Sequence, residues 1–231
     1  MKKIVLIPSF EPDNKLLELL KSIDDSFDII VINDGSNKKY NNIYDEVKKY
    51  AYLISYEENM GKGYALKEGY KYIKDKYDNY IVVTMDSDGQ HRIEDARKLV
   101  DYVSNHMEDL ALGKRTWDRN TPLRSRIGNY LVRKLYRKAT QKSIYDTQSG
   151  LRAFSYKLMD YMLSVEGNRY DYEMNVLLNL NNINVHEIDI QTIYFNNNKD
   201  SHFKWFNDSK KIYKIIKEYK SNHKWLLFSL T

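Results

Sequence analysis

The chain has 231 residues, of which 42% are hydrophobic and 30% are charged, so it is long enough for one α/β domain with a sizeable core. The absence of cysteine excludes disulfides, thiolate metal sites and cysteine nucleophiles, and leaves oxygen or imidazole as ligands for any metal. A formal net charge of +5 favours a partner that carries phosphate: a nucleotide, an anionic lipid or a nucleic acid.

The first half of the chain alternates short apolar runs with helical patterns. Strands are predicted at Ile4–Ile7, Asp28–Ile32, Tyr52–Ser55, Tyr80–Met85 and Leu110–Leu112. Helical spacing of apolar residues lies between them, within residues 16–23, 61–73 and 93–103. This alternation predicts an α/β fold with a mostly parallel, doubly wound sheet and helices on both faces. Polar residues that follow the strands should then meet at one edge of the sheet.

The second half of the chain is more basic. Eight Lys or Arg residues and no acid lie between residues 119 and 145, and Leu123 to Thr140 reads as a basic helix. Further predictions are a helix over residues 171–181, a strand from Val185 to Phe195 and a Lys-rich helix from Asp208 to Lys220. We expect one domain over residues 1–206 and a basic amphipathic C-terminal extension over residues 207–231.

The strongest chemical signal is Asp86-Ser87-Asp88, which follows the predicted strand Tyr80–Met85. Two carboxylates at i and i+2 after a buried strand are costly unless a cation lies between them. A divalent Mg²⁺ or Mn²⁺ ion would supply that charge and would bridge the diphosphate of a nucleotide. A polar turn is the alternative interpretation, because Asp, Ser and Gly all favour turns.

Two further motifs point to a nucleotide. Asp34, in the run Ile32-Asn33-Asp34-Gly35-Ser36, could accept a hydrogen bond from a base or a ribose, or could serve a tight turn and a helix N-cap. Gly61-Lys62-Gly63 opens a predicted helix, an arrangement that suits phosphate. It is not a P-loop, because the spacing of the glycines and the Ser/Thr after the lysine are missing.

These motifs, together with others further along the chain, occur in an order that resembles the family 2 glycosyltransferases. Within that family the chain resembles the polyprenyl-phosphate glycosyltransferases, and the resemblance covers roughly residues 3–215. The other motifs that carry it are Ile7-Pro8-Ser9-Phe10, Gly113-Lys114-Arg115, Asp146-Thr147-Gln148-Ser149-Gly150-Leu151-Arg152, Tyr170-Asp171-Tyr172-Glu173 and Ser201-His202-Phe203. The resemblance implies the GT-A fold.

The resemblance also implies roles on the donor side. The residues expected to bind the nucleotide sugar are Pro8, Phe10, Ile32, Asp34, Lys62, Asp86 and Ser87. Asp86 and Asp88 would hold the metal and the diphosphate, with Gln90 also near the metal. The sequence departs from the pattern at Pro12, where many relatives carry Glu, although Glu11 and Asp13 flank that position.

On the acceptor side, the resemblance implies that Arg115 and either Arg124 or Arg126 hold a lipid phosphate. Glu173 lies where related enzymes carry an acid near the acceptor. An acceptor phosphate is already an anion, so Glu173 would orient it rather than deprotonate it. A lone histidine such as His202 is more often structural than catalytic.

The implied function is inverting transfer of a sugar from a UDP- or GDP-linked donor to a polyprenyl (undecaprenyl or dolichyl) phosphate. One alternative is transfer to a saccharide or teichoic-acid hydroxyl, which would need a base such as Asp146, Asp171 or Glu173. A second is a non-catalytic nucleotide-binding or nucleic-acid-binding module. The chain has no recognisable nucleic-acid motif, so no nucleic-acid partner is expected.

A membrane surface is the expected location. No run of about 18 apolar residues occurs, so no segment is expected to cross a bilayer, and the first strand is too short for a signal peptide. In the tail, Ile212, Ile215, Ile216 and Tyr219 have helical spacing among lysines, which suits an anionic membrane surface. The alternative is that this apolar face packs on the domain. We expect a cytoplasmic protein, peripheral at the inner face of the cell membrane, either with a membrane-embedded partner or as part of a longer chain.

Overall fold

The computed structural model of the chain describes residues 1–116, 123–191, 193 and 205–222. Within them, seven strands form one sheet. The strands are β1 Lys2–Ser9, β2 Asp28–Asp34, β3 Tyr52–Tyr56, β4 Tyr80–Thr84, β5 Leu110–Arg115, β6 Arg152–Ser155 and β7 Val185–Ile190. The α-helices are α1 Lys15–Ser22, α2 Asn41–Val47, α3 Lys62–Lys76, α4 Ile93–Asn105, α5 Leu123–Thr140, α6 Met159–Ser164, α7 Tyr170–Leu178 and α8 Trp205–Asn222.

The strand order across the sheet is β3-β2-β1-β4-β6-β5-β7. Four neighbouring pairs are parallel, whereas β6 runs antiparallel to both β4 and β5. The predicted mostly parallel α/β sheet is therefore confirmed. Because β6 is reversed, its first residue, Arg152, lies opposite Thr84 at the carboxyl end of β4. The segment that leads into β6 thus reaches the edge where β1, β2, β4 and β5 end.

Helices cover both faces of the sheet, as predicted. On one face, Leu66 of α3, Tyr136 of α5 and Tyr172 of α7 pack in a single apolar cluster. On the other face, Leu16 of α1 and Leu99 of α4 belong to a second cluster. The strands supply both clusters because successive side chains of a strand point to opposite faces. Buried runs such as β4, in which all five residues are buried, fix the sheet between these two layers.

The C-terminal helix differs from the expectation. The predicted helix from Asp208 to Lys220 lies within α8, so the expected domain boundary after residue 206 falls inside a helix. Ile212 and Ile216 are only 6% and 3% exposed and join the cluster that contains α5 and α7. The prediction that these two side chains face a membrane is wrong, because the domain already covers them. Residues 223–231 lie outside the described part of the chain.

Other boundaries shift by a few residues. The predicted helix over residues 171–181 is α7, Tyr170–Leu178, and the strand predicted from Val185 to Phe195 is described over Val185–Ile190. Strand β6 and helices α2 and α6 were not predicted. Within the described residues, no helix combines the length and the hydropathy that a membrane crossing needs.

Candidate active site

The two aspartates predicted as the metal site lie in a turn directly after β4. The backbone N–H of Asp86 donates to Nδ1 of His91 at 3.2 Å, and Asp88 Oδ1 accepts from the backbone N–H of Gln90 at 3.0 Å. Gly89 has a φ of +73°, the left-handed conformation that favours glycine and reverses the chain here. The turn therefore holds Asp86, Ser87, Asp88 and Gln90 together at the sheet edge.

Lys62 connects this turn to α7. It is the first residue of α3, and its Nζ lies 2.6 Å from Asp86 Oδ1 and 3.0 Å from Glu173 Oε2. Burial lowers the pKa of Lys62, but the attraction of these two carboxylates outweighs burial and raises the pKa above its ordinary value. Lys62 therefore remains an ammonium and neutralises part of the charge of both acids.

The two carboxyls of the turn have opposite pKa shifts. Burial raises the pKa of Asp86, but the attraction of Lys62 outweighs it and lowers the pKa to about 2. Burial, with repulsion from Asp86, raises the pKa of Asp88. The negative charge of Asp88 is thus the less well compensated of the two, and a cation beside it would be stabilised.

The donor set fits Mg²⁺ or Mn²⁺ held together with a nucleotide. Carboxylate oxygens are the ligands these ions prefer, and Mg²⁺ is commonly held by one or two carboxylates plus substrate phosphates. The described residues contain no group of three or more His, Cys, Asp or Glu that could hold a metal ion alone. Asp86 and Asp88 would therefore supply two ligands and a diphosphate others. The role predicted for Gln90 remains a prediction.

A glycine makes room for the Asp86 carboxylate. A Cβ atom on Gly150 would lie 2.4 Å from Asp86 Oδ2 and 2.9 Å from Asp86 Cγ. Such distances are too short for a non-bonded contact. Thr84 Oγ1 donates to the carbonyl oxygen of Gly150 at 2.8 Å, which fixes this backbone against β4. The segment before β6 thus forms one wall of the aspartate site.

Arg115, predicted to hold a phosphate, lies at the end of β5 in an ion pair with Asp146. Its Nε and Nη2 donate to the two carboxylate oxygens of Asp146 at 2.6 and 2.9 Å, and its backbone N–H donates at 3.2 Å. Asp146 is fully buried, and its own backbone N–H donates to Glu187. Asp146 therefore fixes the orientation of Arg115, a positioning role that the sequence analysis missed.

More cationic side chains surround the neighbouring Tyr145 ring. The guanidinium of Arg133 lies 4.4 Å from the ring centroid, and Lys114 Nζ lies 5.6 Å from it. Both distances are within the range of cation–π attraction. Since Tyr145 precedes Asp146 in the chain, these cations border the Arg115 site, and Arg133 is a further candidate that the sequence analysis did not single out.

Glu173 and Arg152 form the inner wall of the site. Arg152 is buried, and it donates to the carbonyl oxygens of Ser149 at 3.0 Å and of Glu173 at 2.8 Å. Within the described structure, Oε1 of Glu173 is buried without a hydrogen-bond partner, while Oε2 contacts Lys62. Arg152 thus holds the backbone of α7 so that Glu173 faces Lys62.

A cavity lies beside the loops that follow β1 and β2, where the nucleoside pocket is predicted, and its use by a nucleoside remains a prediction. An open cavity of about 530 Å³ is lined by Phe10, Glu11, Gly35, Ser36, Asn37, Lys38, Glu57 and Asn59. Pro8 is buried and pairs with Ile32 across β1 and β2. The Ile32 side chain is fully buried in the apolar core, so the prediction that it lines the pocket is corrected.

Asp34 has an internal role beside this cavity. Its carboxylate accepts hydrogen bonds from the Tyr56 hydroxyl at 2.7 Å, the Asn59 amide at 3.0 Å and the backbone N–H groups of Met60 and Gly61. It thereby fixes the loop that leads into α3 and Lys62. Contact between Asp34 and a nucleoside remains a prediction.

Of the remaining predicted residues, one is exposed on the surface and two lie wholly or partly outside the described residues. Arg126 is exposed on α5, whereas the side chain of Arg124 and the whole of His202 lie outside the described residues. The structure therefore brings together Asp86, Asp88, Lys62 and Glu173, with Arg115 contributing to the same electrostatic environment.

The family model for glycosyl transferase family 2 matches residues 4–162, more than half of the chain. The chain belongs to this family. An uncharacterised protein of Methanocaldococcus jannaschii is 32% identical over 200 residues, which cover 82% of this chain and 81% of that protein. The UDP-N-acetylglucosamine–dolichyl-phosphate N-acetylglucosaminyltransferase of Methanococcus voltae is 26% identical over 218 residues, covering 82% and 85%.

Solved structures place this family 2 glycosyltransferase in the GT-A fold. Glucosyl-3-phosphoglycerate synthase from Mycobacterium tuberculosis, crystallised with Mn²⁺, uridine diphosphate and glucosyl-3-phosphoglycerate, superposes with a TM-score of 0.68. The match covers 95% of this chain and 80% of that one at 16% sequence identity. At this identity the likeness shows the shared fold, and the expected GT-A fold is confirmed.

Proposed function

We propose that this glycosyltransferase is metal-dependent and moves a sugar, with inversion, from a UDP- or GDP-linked donor to a polyprenyl phosphate. The choice of acceptor rests on the partners of the three acids that could act as a general base. Asp146 is held bidentately by Arg115, Asp171 accepts the backbone N–H of Arg169 at the start of α7, and Glu173 is paired with Lys62.

A sugar hydroxyl and a phosphate make different demands on such acids. A hydroxyl acceptor needs a base to take its proton during attack, and a carboxylate in an ion pair is a poor base. A phosphate monoester already carries negative charge, so its oxygen can attack without one. Two of the three acids, Asp146 and Glu173, are held in ion pairs, whereas Asp171 accepts a backbone N–H. The two ion pairs support a phosphate acceptor over a saccharide or teichoic-acid hydroxyl.

On the donor side, the chain's residues would bind the diphosphate and its metal. Asp86 and Asp88, with Gln90 nearby, would hold Mg²⁺ or Mn²⁺, and Ser87 would lie beside them. The metal would stabilise the charge that grows on the departing nucleoside diphosphate. Lys62 lies at the first turn of α3, where exposed N–H groups also favour phosphate, and its ammonium would add to that stabilisation.

On the acceptor side, arginines would orient the attacking oxygen. Arg115 is held by Asp146, and Arg124 or Arg126 of α5 would contribute a second guanidinium. One phosphate oxygen would form the new bond to the anomeric carbon while the bond from that carbon to the diphosphate breaks on the opposite side. Placing the two phosphates on opposite faces of the sugar is how the site would accelerate the reaction.

The Methanococcus voltae relative supports this acceptor class, because its name states that a dolichyl phosphate receives the sugar. A lipid acceptor agrees with the expected position of the protein, peripheral at the inner, cytoplasmic face of the cell membrane, with or without a membrane-embedded partner. The intact pair Asp86 and Asp88 argues against a non-catalytic nucleotide-binding or nucleic-acid-binding module.

A donor and acceptor screen tests the proposal. The purified chain is incubated with Mg²⁺ or Mn²⁺, a panel of UDP- and GDP-sugars, and either a short-chain, water-soluble prenyl phosphate or an oligosaccharide. We expect release of the nucleoside diphosphate to depend on the prenyl phosphate and to stop in excess EDTA. Transfer to the oligosaccharide with no transfer to the prenyl phosphate would establish the hydroxyl acceptor instead.

A further inference from the structure

Helix α5 has one face in the core and a second face in solvent. Val132 and Tyr136 are buried, whereas Ile127, Tyr130 and Leu131 are 47%, 54% and 50% exposed. Successive helical residues turn by about 100°, so these three side chains lie on one face. Three large apolar side chains within two turns form an exposed patch, which we call the α5 crest.

Basic residues flank the α5 crest along the same face. Arg126 precedes it, and Lys134, Arg137 and Lys138 follow it in the next two turns, all exposed. No acid occurs anywhere in α5. An apolar patch within an acid-free basic face is the pattern of a helix that lies at the interface of an anionic bilayer.

Arg133 links the helix that carries the crest to the candidate active site. Arg133 lies on the same helix and stacks on Tyr145, the residue before Asp146, which holds Arg115. The basic edge of α5 thus connects the exposed crest with the arginine proposed to bind the acceptor phosphate. A bilayer that contacted the crest would bring lipid phosphates to the same side of the molecule.

The part of α8 whose side chains the structure describes, residues 211–221, shows no equivalent surface. Its Ile212 and Ile216 are covered by the domain, and its exposed residues are mostly charged, among them Lys211, Lys214 and Lys217. These lysines can add attraction to anionic lipid, but among the described side chains of the two helices the exposed cluster of large apolar groups lies on α5.

We propose that the α5 crest docks this protein on an anionic lipid bilayer, with Ile127, Tyr130 and Leu131 among the headgroups and the flanking Arg and Lys side chains against lipid phosphates. The inference rests on the proposed function, which places the acceptor in a membrane. A bilayer suits this surface better than a second copy of the chain, because two acid-free faces of a protein with net charge +5 would repel each other.

Site-specific labelling tests the docking surface directly. The chain has no cysteine, so a single introduced cysteine can carry an environment-sensitive fluorophore at a chosen position. Leu131→Cys probes the crest, and Tyr213→Cys, at a residue of similar exposure (49%), probes α8. Tyr50→Cys, on the segment before β3, is a control on a different part of the surface. Each labelled full chain is mixed with vesicles of phosphatidylcholine, with and without phosphatidylglycerol.

We expect the label at residue 131 to shift to the blue and to brighten severalfold on vesicles that contain phosphatidylglycerol, and the labels at 213 and 50 to change little. The response should fade as salt rises towards 1 M, where the screening length shortens to about 3 Å. If the chain sediments with the vesicles while the label at 131 stays unchanged, another segment binds the membrane and the inference is overturned. Failure of the wild-type chain to bind any vesicle would also overturn it.

A paired substitution separates this inference from the proposed function. Ile127→Ser with Leu131→Ser should weaken partitioning into anionic vesicles by about tenfold. It should lower transfer to vesicle-borne prenyl phosphate more than transfer to the short-chain acceptor, whereas Tyr50→Ser should alter neither. An unchanged ratio of the two transfer rates would count against the docking surface. A wild-type chain that docks through residue 131 but transfers nothing to either acceptor would refute the proposed function and leave the docking surface supported.

Discussion

The side of the site around Asp86 and Asp88, the proposed donor side, is acidic, and the side around Arg115, the proposed acceptor side, is basic. On each side an ion pair brings in a residue of the opposite sign. On the acidic side, Lys62 contacts Asp86 from a partly exposed, flexible side chain. On the basic side, Asp146 holds Arg115 from a fully buried position. Lys62 can therefore release Asp86 when a metal and diphosphate arrive while it keeps its contact with Glu173, whereas Asp146 is fixed. In the proposed function, the site adapts to the donor and is preorganised for the acceptor.

Removing one acid from the donor side should have the largest effect. Asp88→Asn should lower turnover by about a thousandfold while leaving the fold intact, because the residue lies in a turn and not in the core. Steady-state assays with prenyl phosphate measure the loss, and circular dichroism checks the fold. Asp101→Asn, at an exposed acid on α4, is the matched control. Full activity of Asp88→Asn would contradict the assignment of the donor side.

Displacing Asp86 without changing any charge should have the next largest effect. Gly150→Ala places a Cβ atom 2.4 Å from Asp86 Oδ2, so the carboxylate must move. A displacement of about 1 Å in a catalytic group can cost about a hundredfold in rate. We expect a loss of that order in kcat, with a melting temperature close to that of the wild type. Unchanged kcat would show that the position of the Asp86 carboxylate is not critical.

Removing a cation from the acceptor side should weaken binding of the acceptor and leave binding of the donor unchanged. Arg126→Ala should raise the KM for prenyl phosphate by about fivefold, since the contact is exposed and screened. Arg124→Ala is expected to act in the same direction. Calorimetry should find donor affinity unchanged in both variants, with Lys217→Ala as the control. Weakened donor binding with unchanged acceptor kinetics would show that these arginines bind the donor and not the acceptor.

The donor side was largely predictable because its signals are local. The buried run of β4 leads into Asp86, and the glycines around Lys62 mark the start of α3. Each motif therefore lies in the same short segment as the end of the strand or helix that positions it. The carboxyl ends of parallel strands then meet at one edge. What the sequence could not reveal is that Lys62 contacts Glu173, a residue 111 positions away that only tertiary packing brings near.

The acceptor side was less predictable for the same physical reason. Strand β6 has four residues, one of them Arg152, and its identity depends on pairing with β4 and β5 rather than on periodicity. The helices α5 and α8 have similar basic, amphipathic sequences. Packing alone decides that Ile212 is covered while Leu131 is exposed. An amphipathic pattern indicates a face but not what covers it.

The most direct test of a phosphate acceptor that needs no base is the rate of transfer to prenyl phosphate by Glu173→Gln. This substitution keeps the size of the side chain and an oxygen that can accept a hydrogen bond from Lys62, but removes the negative charge and the capacity to accept a proton. A general base contributes about 10²–10⁴-fold to a rate. We predict that the single-turnover rate falls by no more than about threefold, because the ion-paired carboxylate orients and does not deprotonate. A fall of about a hundredfold or more, with donor affinity unchanged, would contradict the account and make Glu173 the base.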